Sequence, residues 1–314
     1  MTILFLLLAL LVLVVGGLLV RTWNISRTAP QLVPQAGEIR TVTGGALHYI
    51  ERGPKDAQPL VLIHGLSGQL QHFTYALTDR LSDSYRVIAV DRPGCGYSSR
   101  DGDARAALEE QARMIWDLLD QLGVTNPVLV GHSLGGAVSL AMALERPAQT
   151  GALALIAPLT HPVDTPAEAF AGLAVASPLL RRVLAHTLAV PMAQRTAADV
   201  LAMVFHPEPA PDDFLIKGGG ALGLRPKSYI TASADFVGAD AGIRRLAPRY
   251  AAELKTPGGV LYGSEDVILS ATQHGETMTR YGLSYEALPD RGHMIPLTDP
   301  DSCERFIRKI AQML

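Results

Sequence analysis

The chain of 314 residues holds only two cysteines, Cys95 and Cys303. Neither stands in a CxxC pair or beside histidines at metal-ligand spacing, so a disulfide framework and a structural zinc site are both excluded as organising devices. Basic excess is missing too. A net charge of -3 with no long run of like charge offers no cationic face for a nucleic-acid backbone, and no such partner is expected. Charged residues make up 18% of the chain and hydrophobic ones 48%, which is the balance of a sequence that buries a sizeable core. No internal repeat appears. The apolar N-terminus is the one low-complexity stretch.

That stretch, residues 3–20, contains only Ile, Leu, Phe, Val, Ala and the Gly16-Gly17 pair. As a helix it reaches roughly 27 Å, close to the hydrocarbon thickness of a bilayer. Arg21 and Trp23 follow at once, a snorkelling cation and an amphipathic ring suited to the interface. No Lys or Arg precedes the run, and no small-x-small cleavage site follows, so residues 1–23 read as a retained anchor better than as a cleaved signal peptide. Arg21, Arg27 and Arg40 all lie after the run; the positive-inside tendency then favours a cytoplasmic catalytic domain, and the side is otherwise open. Residues 24–37, with two prolines and no apolar period, read as a linker.

From residue 38 onward the pattern changes. Two short alternating runs, 38–43 and 46–51, flank Gly44-Gly45 as a hairpin would. Residues 59–63 (PLVLI), 85–90 (YRVIAV) and 127–130 (PVLV) are almost continuously apolar, as parallel strands covered on both faces must be. Leu108, Ala112, Ile115, Leu118, Leu119 and Leu122 recur at helical spacing between the second and third of these runs, which marks a crossover helix. Further strands are expected at 153–156, 259–262 and 283–288. The spacing predicts an α/β doubly wound, mostly parallel sheet over 38–314. Residues 159–247 break the alternation with helical patterns and Gly218-Gly219-Gly220, and read as a helical cap laid over the carboxyl ends of the strands, where open α/β sheets bind ligands.

Chemistry concentrates in a few turns. Gly131-His132-Ser133-Leu134-Gly135 is a G-x-S-x-G between a strand and a helix, the context that exposes a serine on a strained turn. A serine hydroxyl needs a base to take its proton and a third group to orient that base. Of the nine histidines, His293 in RGHM follows the last expected strand beside a glycine, and is the candidate base. Asp266 in GSED follows the preceding strand and completes the chain order Ser, Asp, His. Glu265 next to it and Asp164 after the 153–156 run remain rivals for the acid. The oxyanion of an acyl-transfer transition state needs donors; the backbone N–H groups of Leu134 and of Leu66, in HGLSG, are the expected pair. His64 is expected to brace that loop, and Cys95 to be a packing residue.

HGLSG after one strand, DRPGCGYS (residues 91–98) after the next, GHSLGG, GSED and GHM, in this order, together resemble the α/β-hydrolase superfamily over about residues 38–314. The resemblance implies a capped α/β-hydrolase fold and hydrolysis without a cofactor, and implies no particular substrate. The epoxide hydrolase and haloalkane dehalogenase branches are similar elsewhere but carry aspartate where Ser133 stands. The expected activity is hydrolysis of a carboxylic ester, with an apolar acyl or lipid-like substrate suggested by the Leu-, Ala-, Val- and Met-rich cap and the anchor. Carbon–carbon bond hydrolysis, aminopeptidase-like amide hydrolysis and cofactor-free perhydrolysis use the same constellation and stay open. A membrane-tethered binding protein that has lost catalysis is the alternative of another class.

Overall fold

A computed structural model of the chain describes every residue except Pro166. Among the described residues nine strands form one sheet: β1 (Glu38–Val42), β2 (Gly45–Arg52), β3 (Pro59–Ile63), β4 (Arg86–Val90), β5 (Ser99–Arg100), β6 (Val128–His132), β7 (Ala152–Ile156), β8 (Gly258–Gly263) and β9 (Ser284–Leu288). Their order is β1-β2-β4-β3-β6-β7-β8-β9, with β5 on β2. β1, β2, β4 and β5 pair antiparallel through β2, and every pairing from β4 through β3 to β9 is parallel. The apolar runs are continuous because the sheet is covered twice. Val61, Ile63, Ile88 and Val90 pack on one face with Ile115, Trp116 and Leu119 of the helix Leu108–Gln121. Leu60, Leu62, Val87 and Ala89 turn to the other face, against Phe73, Leu77 and Phe306 of the helix Pro300–Ala311. Successive side chains point to opposite faces of a strand, so a strand buried on both sides has no room for polar alternation.

Between β7 and β8 the chain leaves the sheet. Among the described residues of this insertion no strand forms; its main elements are the helices Pro178–Leu184, Val190–Phe205 and Pro226–Leu246, the first two joined by a π-helical turn at Ala185–Ala189. The N-terminal helix is longer than the apolar run that announces it, extending over Thr2–Ser26. Its apolar residues from Ile3 to Leu13 are exposed, whereas Thr22 is buried and its hydroxyl donates to Thr187 O at 3.1 Å.

The segment 24–37 differs from a free linker. Its first residues continue the N-terminal helix, a short helix follows at Ala29–Leu32, and Ala29 and Val33 are buried with Ala221 and Leu222. Tyr97 Oη donates to Val33 O at 2.5 Å. Two isolated apolar side chains carry too little pattern to register as an element, yet they suffice to seat the segment on the insertion.

Candidate active site

Ser133 sits where β6 gives way to the helix Leu134–Glu145, at φ 53° and ψ -122°. A side chain held at positive φ is strained, and the strain is maintained by close approach on three sides. A Cβ on Gly131 would meet Ser139 Oγ and Gly135 O, one on Gly135 would run into Ile63 O, and one on Gly136 into Pro158. The glycines of the motif are thus required by sheet–helix contact, and the serine is left 9% exposed at the mouth of the turn.

His293 Nδ1 lies 2.7 Å from Asp266 Oδ2, with the carboxylate side chain fully buried and the imidazole 5% exposed. The other carboxylate oxygen accepts from Ile268 N at 2.8 Å and Leu269 N at 2.9 Å, which fixes the plane of the carboxylate and directs Oδ2 at the ring. An imidazole that donates from Nδ1 keeps Nε2 as an acceptor. Ser133 and His293 line one cavity. No hydrogen bond joins their side chains among the described residues, as is common before a substrate tightens such a pair.

The two rivals for the acid lie elsewhere. Glu265 is exposed beside Ser264. Asp164 is 92% exposed, 3.8 Å from Arg244 at the rim of a second cavity.

Gly65 brings the β3 loop against the serine, since a Cβ there would stand 2.9 Å from Ser133 Cβ. Neither Leu66 N nor Leu134 N donates to another group among the described residues, and both residues line the cavity wall next to Ser133. His64 is fully buried: Arg92 N donates to its Nε2 at 2.9 Å, leaving Nδ1–H for Gly65 O at 2.9 Å. Burial, and then the Arg92 charge, hold this imidazole neutral by pushing its pKa well below the ordinary value. Arg92 also donates to His64 O and Gly65 O.

The support behind that loop escapes sequence reading. The buried Arg92 guanidinium pairs with Asp235 at 2.7 Å and bonds Gln111 Oε1 at 2.7 Å, while Arg100 takes the other Asp235 oxygen at 2.5 Å. Asp235 belongs to the helix Pro226–Leu246, so the insertion is tied through one carboxylate to the loop that faces Ser133. A second tie comes from Glu208, which accepts from Gly292 N at 2.9 Å next to His293. Arg92 stands inside DRPGCGYS, which was its only signal. Asp235→Ala is expected to cost about 3–5 kcal/mol, because it leaves two arginines facing an uncompensated buried site; a fall in the thermal midpoint of the full chain checks this. Cys95 is buried, and burial pushes its thiol up to about 11, as suits a packing residue.

Two cavities meet at Ser133, Leu66 and Phe170, one of about 320 Å³ and one of about 690 Å³. The larger has a polar floor that includes His72, His132 and His293, and apolar walls from the insertion such as Leu184, Val200, Leu201 and Phe205. His132 Nε2 bonds His293 O at 3.0 Å, while Nδ1 of His132 and of His72 are buried with no partner among the described residues. Burial lowers the pKa of His72 to about 4, so this ring faces the cavity uncharged at neutral pH.

A sheet of this order, with a serine on the β6 turn and a histidine–carboxylate pair after β8 and β9, defines the class. The family model for the alpha/beta hydrolase fold matches residues 58–215, and the chain belongs to that family. It is similar to the magnesium-chelatase 30 kDa subunit of Rhodobacter capsulatus, at 41% identity over 31% of this chain and 34% of that protein. It is also similar to haloalkane dehalogenase 2 of Mycobacterium tuberculosis, at 31% identity over 43% of this chain and 46% of that protein. The matched stretch spans less than half the length of the first curated relatives. An alpha/beta hydrolase fold protein from Burkholderia ambifaria superposes with a TM-score of 0.72 at 20% identity, covering 85% of this chain and 95% of that one, a likeness of fold alone.

Proposed function

We propose that the protein is a membrane-anchored serine hydrolase of carboxylic esters with an apolar acyl group, in which Ser133 is the nucleophile, His293 the base and Asp266 its orienting acid. The observation that carries this reading is the buried 2.7 Å Asp266–His293 pair, whose imidazole lines one cavity with a serine on a strained turn. Ser133 Oγ attacks the acyl carbon as its proton passes to His293 Nε2, and the Leu66 and Leu134 amides take the oxyanion. The imidazolium, held by Asp266, returns the proton to the departing alkoxide. Water then gives a proton to His293, attacks the acyl-enzyme and releases the acid with Ser133 restored. Loss of one oxyanion donor in such a site costs about 3–4 kcal/mol of barrier. The apolar walls of the larger cavity favour an acyl chain over a charged group.

The N-terminal helix is read as spanning a bilayer. Its exposed apolar length matches a membrane, and the buried Thr22 contact with Thr187 ties it to the folded domain, which a removed leader would not do. A fluorophosphonate probe tests the chemistry. The wild-type chain is expected to label at Ser133 and to turn over p-nitrophenyl esters faster than amides or diketones; a folded wild type that does not label sinks the hydrolase reading. Carbonate extraction tests the anchor, which is refuted if the chain leaves the membrane pellet.

A further inference from the structure

The insertion carries an apolar face that the described residues leave about half exposed or more. Leu179 is 74% exposed, Val183 52%, Leu188 46% and Met192 51%. Their spacing is four, five and four residues, and the five spans the π-helical turn Ala185–Ala189. A π turn advances one residue more than an α turn, so the insertion of that turn keeps all four side chains in a single stripe. Leu215 and Ile216, about half exposed on the following loop, add to the apolar surface. Exposed apolar surface of this extent marks an interaction site.

Its position relative to the N-terminal helix names the partner. Thr22, hydrogen-bonded to Thr187 in the middle of the π turn, is flanked by Arg21 and by Trp23, whose ring is exposed with the Arg27 guanidinium 4.6 Å over it. Cationic and aromatic residues at the end of a spanning helix sit at the headgroup level. The π turn is therefore held at the same depth, and the stripe beside it meets the bilayer that the helix crosses. Exposed Arg182 and Arg195 on the same helical stretch suit lipid phosphates.

The stripe is also a mouth. Leu188, Met192 and Leu215 are each about half exposed and at the same time line the 690 Å³ cavity that contains Ser133 and His293. We infer that this face of the insertion docks on the surface of the anchoring bilayer, and that the cavity opens there to admit a membrane-resident amphiphilic ester without its passing through water. This rests on the anchored ester-hydrolase reading and adds to it the route and the substrate class.

The test uses the full chain in phosphatidylcholine vesicles. Cys95 and Cys303 are buried, so a maleimide fluorophore reports only an introduced thiol, placed by Leu179→Cys on the stripe or by Lys55→Cys on the exposed loop at the opposite end of β3. Doxyl-labelled phosphatidylcholine is expected to quench the fluorophore at position 179 about fivefold more than at 55, as for a face inserted at the headgroup boundary. Equal quenching overturns the docking, and so does shielding of position 179 that depends on protein concentration instead of lipid, which would assign the stripe to a second copy of the chain. The double variant Leu179→Asp, Val183→Asp touches neither cavity. It is expected to lose on the order of tenfold in turnover of p-nitrophenyl palmitate held in the vesicles, with p-nitrophenyl acetate in solution within about twofold of wild type, since only the first reaction needs the docked face. A vesicle-ester rate equal to wild type overturns the route. Wild type inactive on both esters would instead sink the esterase reading, and wild type released by carbonate the anchor.

Discussion

Ser133→Ala is expected to lower kcat on a p-nitrophenyl ester by about 10⁶-fold, with KM little changed, and to abolish fluorophosphonate labelling. The size of the loss follows from what the hydroxyl supplies. On the proposed mechanism, without Oγ there is no acyl-enzyme, and His293 has no proton to move; what is left is whatever the Leu66 and Leu134 amides and the cavity do for direct attack by water, a residual of about 10³–10⁴ over the uncatalysed rate in comparable triads. The fold should be indifferent. Serine and alanine both place a Cβ at φ 53°, so the strain of the turn is the same in both, and among the described residues the hydroxyl makes no hydrogen bond whose loss would matter. Because the proposed triad acts as a unit, adding His293→Ala to Ser133→Ala should cost almost nothing further. A rate that drops again by orders of magnitude in the double variant would mean that His293 works independently of the serine.

The parts of this molecule that could be read from sequence are those where one local requirement leaves one residue type. Double burial makes β3, β4, β6 and β7 continuous apolar runs, and the contacts of Gly131, Gly135 and Gly136 with Ser139, Ile63 and Pro158 leave no room for a side chain; both leave plain marks. The helix Leu108–Gln121 declares itself by its buried stripe of Leu108, Ala112, Ile115 and Leu119. What could not be read depends on pairs far apart in the chain. Arg92 and Asp235 are separated by 143 positions, and neither residue alone differs from a surface charge. Glu208 holds the amide beside His293 from a loop of the insertion with no periodic pattern. The seating of residues 24–37 rests on Ala29 and Val33, two small contacts among prolines and polar residues. Such features are set by tertiary contact, which local composition does not record.

The choice among three acids is of this second kind, and it yields the other large expected effect. Asp266→Asn is expected to lower kcat about 10⁴-fold, while Glu265→Gln and Asp164→Asn stay within about twofold of wild type in the same assay. A carboxamide at 266 can still receive the Ile268 and Leu269 amides through its oxygen, so the side chain remains in place. Its NH2 group then faces His293 Nδ1 where an acceptor stood. The imidazole must answer with a lone pair, the proton moves to Nε2, and the base is lost in the direction of Ser133. No carboxylate remains to stabilise the imidazolium. Asp164 and Glu265 are solvated, and neither bonds to His293; neutralising them removes a charge that water already screens. The pH profile separates this cause from mere loss of packing. In Asp266→Asn, turnover should recover at alkaline pH as hydroxide or the serine alkoxide replaces the missing base, whereas a disordered site would recover at no pH. If Asp164→Asn instead gave the 10⁴-fold loss, the acid would have to reach His293 from the insertion, and the 2.7 Å pair would be structural.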